Sequence, residues 1–124
     1  MGDKKVILIA DDDAELRQVL SMRLVSAGYE VIEAANGKGA MNLAKEKKPD
    51  LVILDIMMPQ MDGMSLSQRF KEGIATKDIP LIFLTGLVDK DTETHDPAAG
   101  QNIIFAKPYD ANELLAAIES LIGK

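Results

Sequence analysis

Short, nearly continuous apolar runs alternate along the chain with stretches in which apolar residues recur every three or four positions. The runs predict five buried strands, at residues 6–10, 29–34, 51–54, 80–85 and 103–106. Strands that are apolar throughout are typical of parallel sheets covered on both faces. Because helical stretches separate these strands, right-handed crossovers must connect them. The pattern therefore predicts a doubly wound α/β domain in which strand and helix alternate five times.

The helical periodicity is clearest after the first strand, over residues 14–27. Its apolar stripe contains four residues: Leu16, Val19, Leu20 and Leu24. Gly28 is predicted to end this helix as a left-handed residue. Further helices are predicted over residues 37–47, over residues 64–72 and after the capping residue Asp110. The last helix is predicted to bury one stripe: Leu114, Leu115, Ile118, Leu121 and Ile122.

The stretch between the fourth and fifth strands has the weakest pattern. Residues 86–101 contain few large apolar side chains, and Pro97 falls where a fourth helix would run. Since the residue before a proline avoids helical geometry, Asp96 is expected to end any helix that begins near Thr92. The fourth helix is therefore predicted to be short or irregular.

Composition narrows the class of protein. The 124 residues are expected to form a single domain over residues 1–124, with 47% hydrophobic and 27% charged residues. No secretory signal and no membrane-spanning run are predicted. The absence of cysteine excludes disulfides, thiolate metal sites and cysteine nucleophiles, and makes the cytoplasm the default location. A net charge of −6 without a basic run argues against direct nucleic acid binding.

Polar side chains follow four of the five predicted strands. Asp11 and Asp12 come after the first, Asp55 after the third, Thr85 ends the fourth, and Lys107 follows the fifth. In an open parallel sheet, the carboxyl ends of the strands share one edge, where ligands bind. Two carboxylates 4 Å apart repel each other by roughly 4 kcal/mol at an effective dielectric constant of 20. Such a cluster therefore needs nearby positive charge, which the lysine and a bound divalent cation would supply.

Magnesium fits such a cluster, because it takes oxygen ligands and is commonly held by one or two carboxylates together with a phosphate. A carboxylate can itself act as the nucleophile and become an acyl phosphate. A metal, a lysine and a hydroxyl would then stabilise the charge on the transferring group. A structural alternative stays open for Asp11, Asp12 and Asp13, since acidic residues also favour the start of a helix.

Three other phosphate or metal sites lack their spacing. A haloacid-dehalogenase-type phosphatase needs a second aspartate two residues after the nucleophile, where this chain has Met57. An EF-hand needs acids at alternate positions around a glycine, which the run of three aspartates does not provide. The sequence also contains no glycine-rich phosphate loop of the G-x-x-x-x-G-K type. Hydrolytic turnover and nucleotide hydrolysis are therefore not predicted.

Four motifs combine at these strand ends: Ile-Leu-Ile-Ala-Asp11-Asp12-Asp13, Leu-Val-Ile-Leu-Asp55-Ile-Met-Met-Pro59-Gln-Met-Asp62-Gly63, Leu-Thr85-Gly86 and Ala-Lys107-Pro108. Together they resemble the CheY-like response regulator receiver domain of two-component signalling, over about residues 6–122. The resemblance implies a flavodoxin-like (βα)5 fold with strand order 2-1-3-4-5. It also implies a phosphoacceptor switch, which assists its own phosphorylation and dephosphorylation but is not a turnover enzyme.

The resemblance further implies a role for each site residue. Asp55 would take a phosphoryl group from a sensor histidine kinase or a phosphotransfer protein. The metal, Mg²⁺ with Mn²⁺ as a substitute, would be held by Asp12, Asp55 and the backbone carbonyl of Met57, with Asp11 acting mainly through water. The phosphoryl oxygens would contact three more: Thr85, Lys107 and the backbone amide of Gly86. A downstream protein or a missing output domain would read the face formed by the fourth helix, fifth strand and fifth helix.

The chain departs from the family pattern at three positions. Ile104 stands where the family usually has the aromatic residue that couples the hydroxyl to the output face, so we expect this coupling to be absent or altered. Met57 and Leu87 occupy the positions that tune dephosphorylation. Neither can orient a water by hydrogen bonding, so we expect an acyl phosphate that lasts roughly hours. The alternative function is a constitutive protein-interaction module with this fold and no phosphotransfer.

Overall fold

The computed structural model describes residues 4–55, 63–85, 103–106 and 110–123. Its five strands are β1 (Val6–Ala10), β2 (Glu30–Ala34), β3 (Leu51–Asp55), β4 (Leu81–Thr85) and β5 (Ile103–Ala106). They form one sheet in the order β2-β1-β3-β4-β5. Each neighbouring pair is parallel. The parallel arrangement is the one that the apolar pattern predicts, and the strand order is the one that the family resemblance implies.

Four helices lie in the described ranges: α1 (Ala14–Ser26), α2 (Gly37–Lys47), α3 (Gly63–Glu72) and the C-terminal helix α4 (Ala111–Ile122). The irregular helix predicted around Pro97 falls outside the described residues. Local capping explains several of the helix ends. The Asp110 side chain accepts hydrogen bonds from the amides of Asn112 and Glu113 at the start of α4. Gly28, with φ of 102°, adopts the left-handed conformation predicted for it after α1.

Alternate residues along each strand enter two separate cores, one on each face of the sheet. On one face, the strand residues pack with Leu20 and Leu24 of α1 and with Leu114 and Ile118 of α4. On the other face, they pack with residues of α2 and with Phe70 of α3. Both faces are therefore covered, and this burial explains why the strands are apolar at almost every position. Helices on both faces confirm the doubly wound fold.

Two predicted stripes are wider than the surfaces that the structure buries. On α1, Leu20 and Leu24 are buried, whereas Leu16 is 47% exposed and Val19 is 51% exposed. A helix that lies against a sheet buries only a narrow strip, and residues three or four positions apart can fall on either side of it. On α4, three predicted members of the stripe are only partly buried: Leu115, Leu121 and Ile122.

The start of β2 also differs from the prediction. Tyr29 was expected to begin this strand, but its amide donates to the carbonyl of Leu24 at the end of α1, 3.1 Å away. The strand therefore begins one residue later, at Glu30. Within the described ranges, no helix is both long enough and apolar enough to cross a bilayer.

Candidate functional site

The sheet register brings the predicted site segments to one edge. Ala10 is paired with Leu54, so Asp11 and Asp55 each come directly after this pair. On the other side of β3, Asp55 is paired with Leu84, the residue before Thr85. Three of the predicted segments therefore end within about one residue of each other along the strand direction. This convergence of the backbone is what the sequence predicted.

Several predicted site residues fall outside the part of the chain that the structure describes. They are Met57, Gly86, Leu87 and Lys107. The backbones of Asp55, Thr85 and Ile104 are described, but their side chains are not. The residue before Lys107, Ala106, is paired with Thr85. Phe105, beside the altered switch position, is fully buried in the core formed with α1 and α4.

The three consecutive aspartates between β1 and α1 differ from one another. Asp13 is the N-cap of α1, and its Oδ1 accepts hydrogen bonds from the amides of Glu15 (3.0 Å) and Leu16 (3.2 Å). The structural alternative, an acid at the helix start, therefore holds for Asp13. Asp11 is buried, only 4% exposed, and its Oδ1 accepts a hydrogen bond from the amide of Asp13 at 2.9 Å. Asp12 is exposed.

An arginine that the sequence reading missed lies behind this loop. Nη1 of Arg17, on α1, donates to the backbone carbonyl of Asp11 at 2.6 Å. Nε of the same side chain donates to Oε1 of Glu33, near the end of β2, at 2.9 Å. The second strand, which ends in Ala34, therefore also contributes a charged group to this edge. The only sequence signal was an arginine one turn after the acids, which is too common to single out.

The described donor set suits a hard cation. Asp11 and Asp12 offer carboxylate oxygens at the edge where β3 ends in Asp55, and oxygen ligands are those that Mg²⁺ takes. Among the described side chains, which do not include that of Asp55, no three acidic or histidine residues group closely enough to hold a metal.

The chain matches a known protein family over most of its length. The family described as "Response regulator receiver domain" matches residues 7–119. Among curated proteins, the chain is 36% identical over 120 residues to the phosphate regulon transcriptional regulatory protein PhoB of Pseudomonas aeruginosa. That match covers 97% of this chain but 52% of PhoB, so the chain spans about half the length of this relative.

Solved structures show the same fold. The signal receiver domain of a DNA binding response regulator protein from Colwellia psychrerythraea superposes with a TM-score of 0.82 at 33% identity, covering 98% of this chain and all of that one. The chemotaxis response regulator CheY4 of Vibrio cholerae also gives a TM-score of 0.82, at 28% identity. It covers 96% of this chain and 99% of CheY4. These matches extend over both cores and over the acidic edge of the sheet.

Proposed function

The chain belongs to the family of response regulator receiver domains, the phosphoacceptors of two-component signalling, and we propose that Asp55 is the residue that becomes phosphorylated. The observation that carries this assignment is the register of the sheet. Asp55 ends the central strand β3 and follows the Ala10–Leu54 pair alongside Asp11. Asp11 occupies the equivalent position after β1, but its carboxylate is buried and accepts a hydrogen bond from the amide of Asp13, whereas Asp55 is itself the last residue of β3.

The proposed reaction transfers a phosphoryl group from nitrogen to oxygen. A carboxylate oxygen of Asp55 attacks the phosphorus atom of a phosphohistidine, forming an O–P bond while the P–N bond breaks. The electron pair of the broken bond returns to the imidazole, and an acyl phosphate remains on the receiver. The apolar strand before Asp55 supports this role, because Leu51–Leu54 are buried and hold the end of the strand in place.

The phosphoryl group carries negative charge into an edge that is already acidic. When bound, Mg²⁺ or Mn²⁺ would neutralise part of this charge. We assign its ligands to Asp11, Asp12, Asp55 and the carbonyl of Met57. Thr85, Lys107 and the amide of Gly86 would contact the phosphoryl oxygens. Thr85 suits this role because it ends β4, the strand beside Asp55.

The proposed phosphodonor is the phosphohistidine of a sensor kinase or phosphotransfer protein. Such a donor must cover the carboxyl edge of the sheet in order to reach Asp55. Helix α1 begins at that edge and carries Leu16 and Val19, about half exposed, in its first two turns. Exposed apolar side chains beside a reactive group favour a protein partner over a small molecule as the physiological donor.

The way in which the phosphorylated receiver passes on its signal is also proposed. Since the chain spans about half of PhoB, the phosphorylated receiver would act either on an attached output domain or on a separate protein. The proposed reader surface includes β5 and α4, together with the helix expected before β5. Altered coupling at Ile104 and slow dephosphorylation set by Met57 and Leu87 stay predictions.

Incubation with Mg²⁺ and acetyl phosphate, read by intact mass, tests the proposed function. We expect one added phosphoryl group on the wild-type chain, none on Asp55→Asn, and none when EDTA removes the metal. Asp50→Asn is the matched control, because Asp50 lies at the opposite end of β3 and bonds to the amide of Val6. It should be phosphorylated like the wild type. A wild-type chain that gains no phosphoryl group would favour the constitutive interaction module instead.

A further inference from the structure

We propose that Arg17 is a positioning residue of the metal site, which it serves by fixing the peptide group between Asp11 and Asp12. This inference rests on the proposed function, since it concerns how the two acids are presented to the cation. Arg17 itself would touch neither the cation nor the phosphoryl group. It acts from behind the loop, between α1 and the end of β2.

Both polar groups of the Asp11 backbone are held by hydrogen bonds. Its amide donates to the carbonyl of Ala34 in β2, 3.2 Å away. Its carbonyl accepts from Nη1 of Arg17 at 2.6 Å. The carbonyl belongs to the rigid plane that also contains the amide nitrogen of Asp12. Holding that oxygen therefore restrains the position of the Asp12 Cα, the atom from which the side chain leaves the backbone.

An arginine suits this position better than a lysine would. The guanidinium presents several N–H groups in one rigid plane, so it can hold two acceptors at a fixed angle, which a lysine ammonium cannot do. Here the two acceptors are the Asp11 carbonyl and the Glu33 carboxylate. The side chain of Arg17 is 17% exposed and its bond to the Asp11 carbonyl is partly buried, whereas the ion pair with Glu33 is exposed to water. One side chain thereby ties together β1, β2 and α1.

The positioning effect and the charge of Arg17 act on metal affinity in opposite directions. A guanidinium near a cation site repels the cation, so loss of the charge alone would tighten metal binding. Loss of positioning would weaken it. The Glu33 carboxylate, 2.9 Å from Nε, offsets much of the positive charge. Positioning should therefore outweigh repulsion, and the two explanations predict changes in affinity of opposite sign.

Mn²⁺ affinity of the unphosphorylated protein, measured by the electron paramagnetic resonance signal of free Mn²⁺, tests this inference without relying on phosphorylation. We expect Arg17→Ala to weaken binding by about 10–100-fold, the usual effect of losing a residue that orients metal ligands. Arg17→Lys keeps the charge and most of the aliphatic chain, so it guards against a folding failure in the alanine variant. It should weaken binding nearly as much.

Two variants serve as controls. Arg23→Ala removes an arginine that lies further along the same helix, and it should leave the affinity unchanged. Glu33→Gln keeps an oxygen that can accept from Nε but removes the charge, and its effect should be small beside that of Arg17→Lys. Unchanged or tighter binding in both Arg17 variants would overturn the positioning role. A wild-type protein that binds no Mn²⁺ would instead refute the metal site of the proposed function, and this inference with it.

Discussion

The two edges of the sheet use their polar groups differently. At the amino edge, Oδ2 of Asp50 accepts a hydrogen bond from the amide of Val6 at 2.8 Å. At the same edge, the hydroxyl of Tyr29 donates to the carbonyl of Gly123 at 3.0 Å. At the carboxyl edge, three aspartates follow β1 directly: Asp13 caps α1, Asp11 accepts a hydrogen bond from the amide of Asp13, and Asp12 is exposed. The amino edge holds polar groups that the fold requires, whereas the carboxyl edge has more acid than the fold requires.

This difference distinguishes residues that stabilise the domain from residues that serve its proposed function. A carboxylate that accepts a backbone amide adds stability, because the amide would otherwise be buried without a partner. Carboxylates gathered at one edge repel one another and lower the stability of the metal-free domain. The proposed Mg²⁺ would supply the positive charge that offsets this repulsion. Loss of the Asp50 carboxylate at the amino edge and loss of the exposed Asp12 carboxylate at the carboxyl edge should therefore affect stability in opposite ways.

The largest expected effect is on metal binding at the carboxyl edge. Asp12→Asn should weaken Mn²⁺ binding on the order of 100-fold or more, because one carboxylate–cation contact is worth several kcal/mol even at an effective dielectric of 20. Isothermal titration calorimetry with Mn²⁺ would measure this loss of affinity. Asp50→Asn, an equal change of charge at the amino edge, should bind like the wild type. Equal losses in both variants would show that overall charge, and not a site, attracts the metal.

The second-largest effect is on the free energy of unfolding. Loss of a carboxylate should lower it at the amino edge but not at Asp12 on the carboxyl edge. Asp50→Ala leaves the Val6 amide without its acceptor and should lower the free energy of unfolding by about 1–2 kcal/mol. Asp12→Ala removes repulsion and should leave the metal-free domain as stable as the wild type, or slightly more stable. Urea unfolding in EDTA, followed by circular dichroism, measures both. A larger loss in Asp12→Ala than in Asp50→Ala would contradict the division between the edges.

The smallest effect concerns Tyr29 and is visible at high pH. Burial and, to a lesser degree, the nearby Glu119 carboxylate raise the pKa of Tyr29 above its ordinary value of 10. The folded state therefore binds this proton more tightly than the unfolded state does. Its contribution to stability is complete below pH 10 and is lost as the pH rises through the higher pKa of the folded state.

Tyr29→Phe should lower stability by about 0.5–1.5 kcal/mol at neutral pH, because the bond to Gly123 is lost. It should also flatten the fall of stability above pH 10. Urea unfolding at a series of pH values gives both results. Tyr109→Phe provides the control for the second tyrosine and should keep the alkaline fall. An unchanged alkaline slope in Tyr29→Phe would assign the fall to other groups.

Features set by neighbouring residues were predictable from the sequence. Asp110 begins a helix and Gly28 follows one because capping depends only on a few adjacent positions. Helix α2 was predicted at the bounds that the structure gives, residues 37–47. The convergence of Asp11 and Asp55 at one edge also followed, since parallel strands of similar length end together.

Features that depend on distant contacts were not predictable. The exposure of Leu16 depends on where α1 lies over the sheet, which its own periodicity does not reveal. Tyr29 was predicted to begin β2, but its amide bonds back to Leu24 and its hydroxyl bonds to a residue 94 positions away. Arg17 was passed over for the same reason: its partner Glu33 lies 16 positions away on β2. Charged pairs of this kind leave no periodic signal.

The most direct test of the central claim is to locate the acyl phosphate. After reaction with acetyl phosphate and Mg²⁺, borohydride reduces an aspartyl phosphate to homoserine, and peptide mapping by mass spectrometry identifies the position. The account predicts homoserine at position 55 alone, with Asp11 and Asp12 unmodified. Homoserine at either of those two positions, with Asp55 intact, would contradict the assignment of the carboxyl edge.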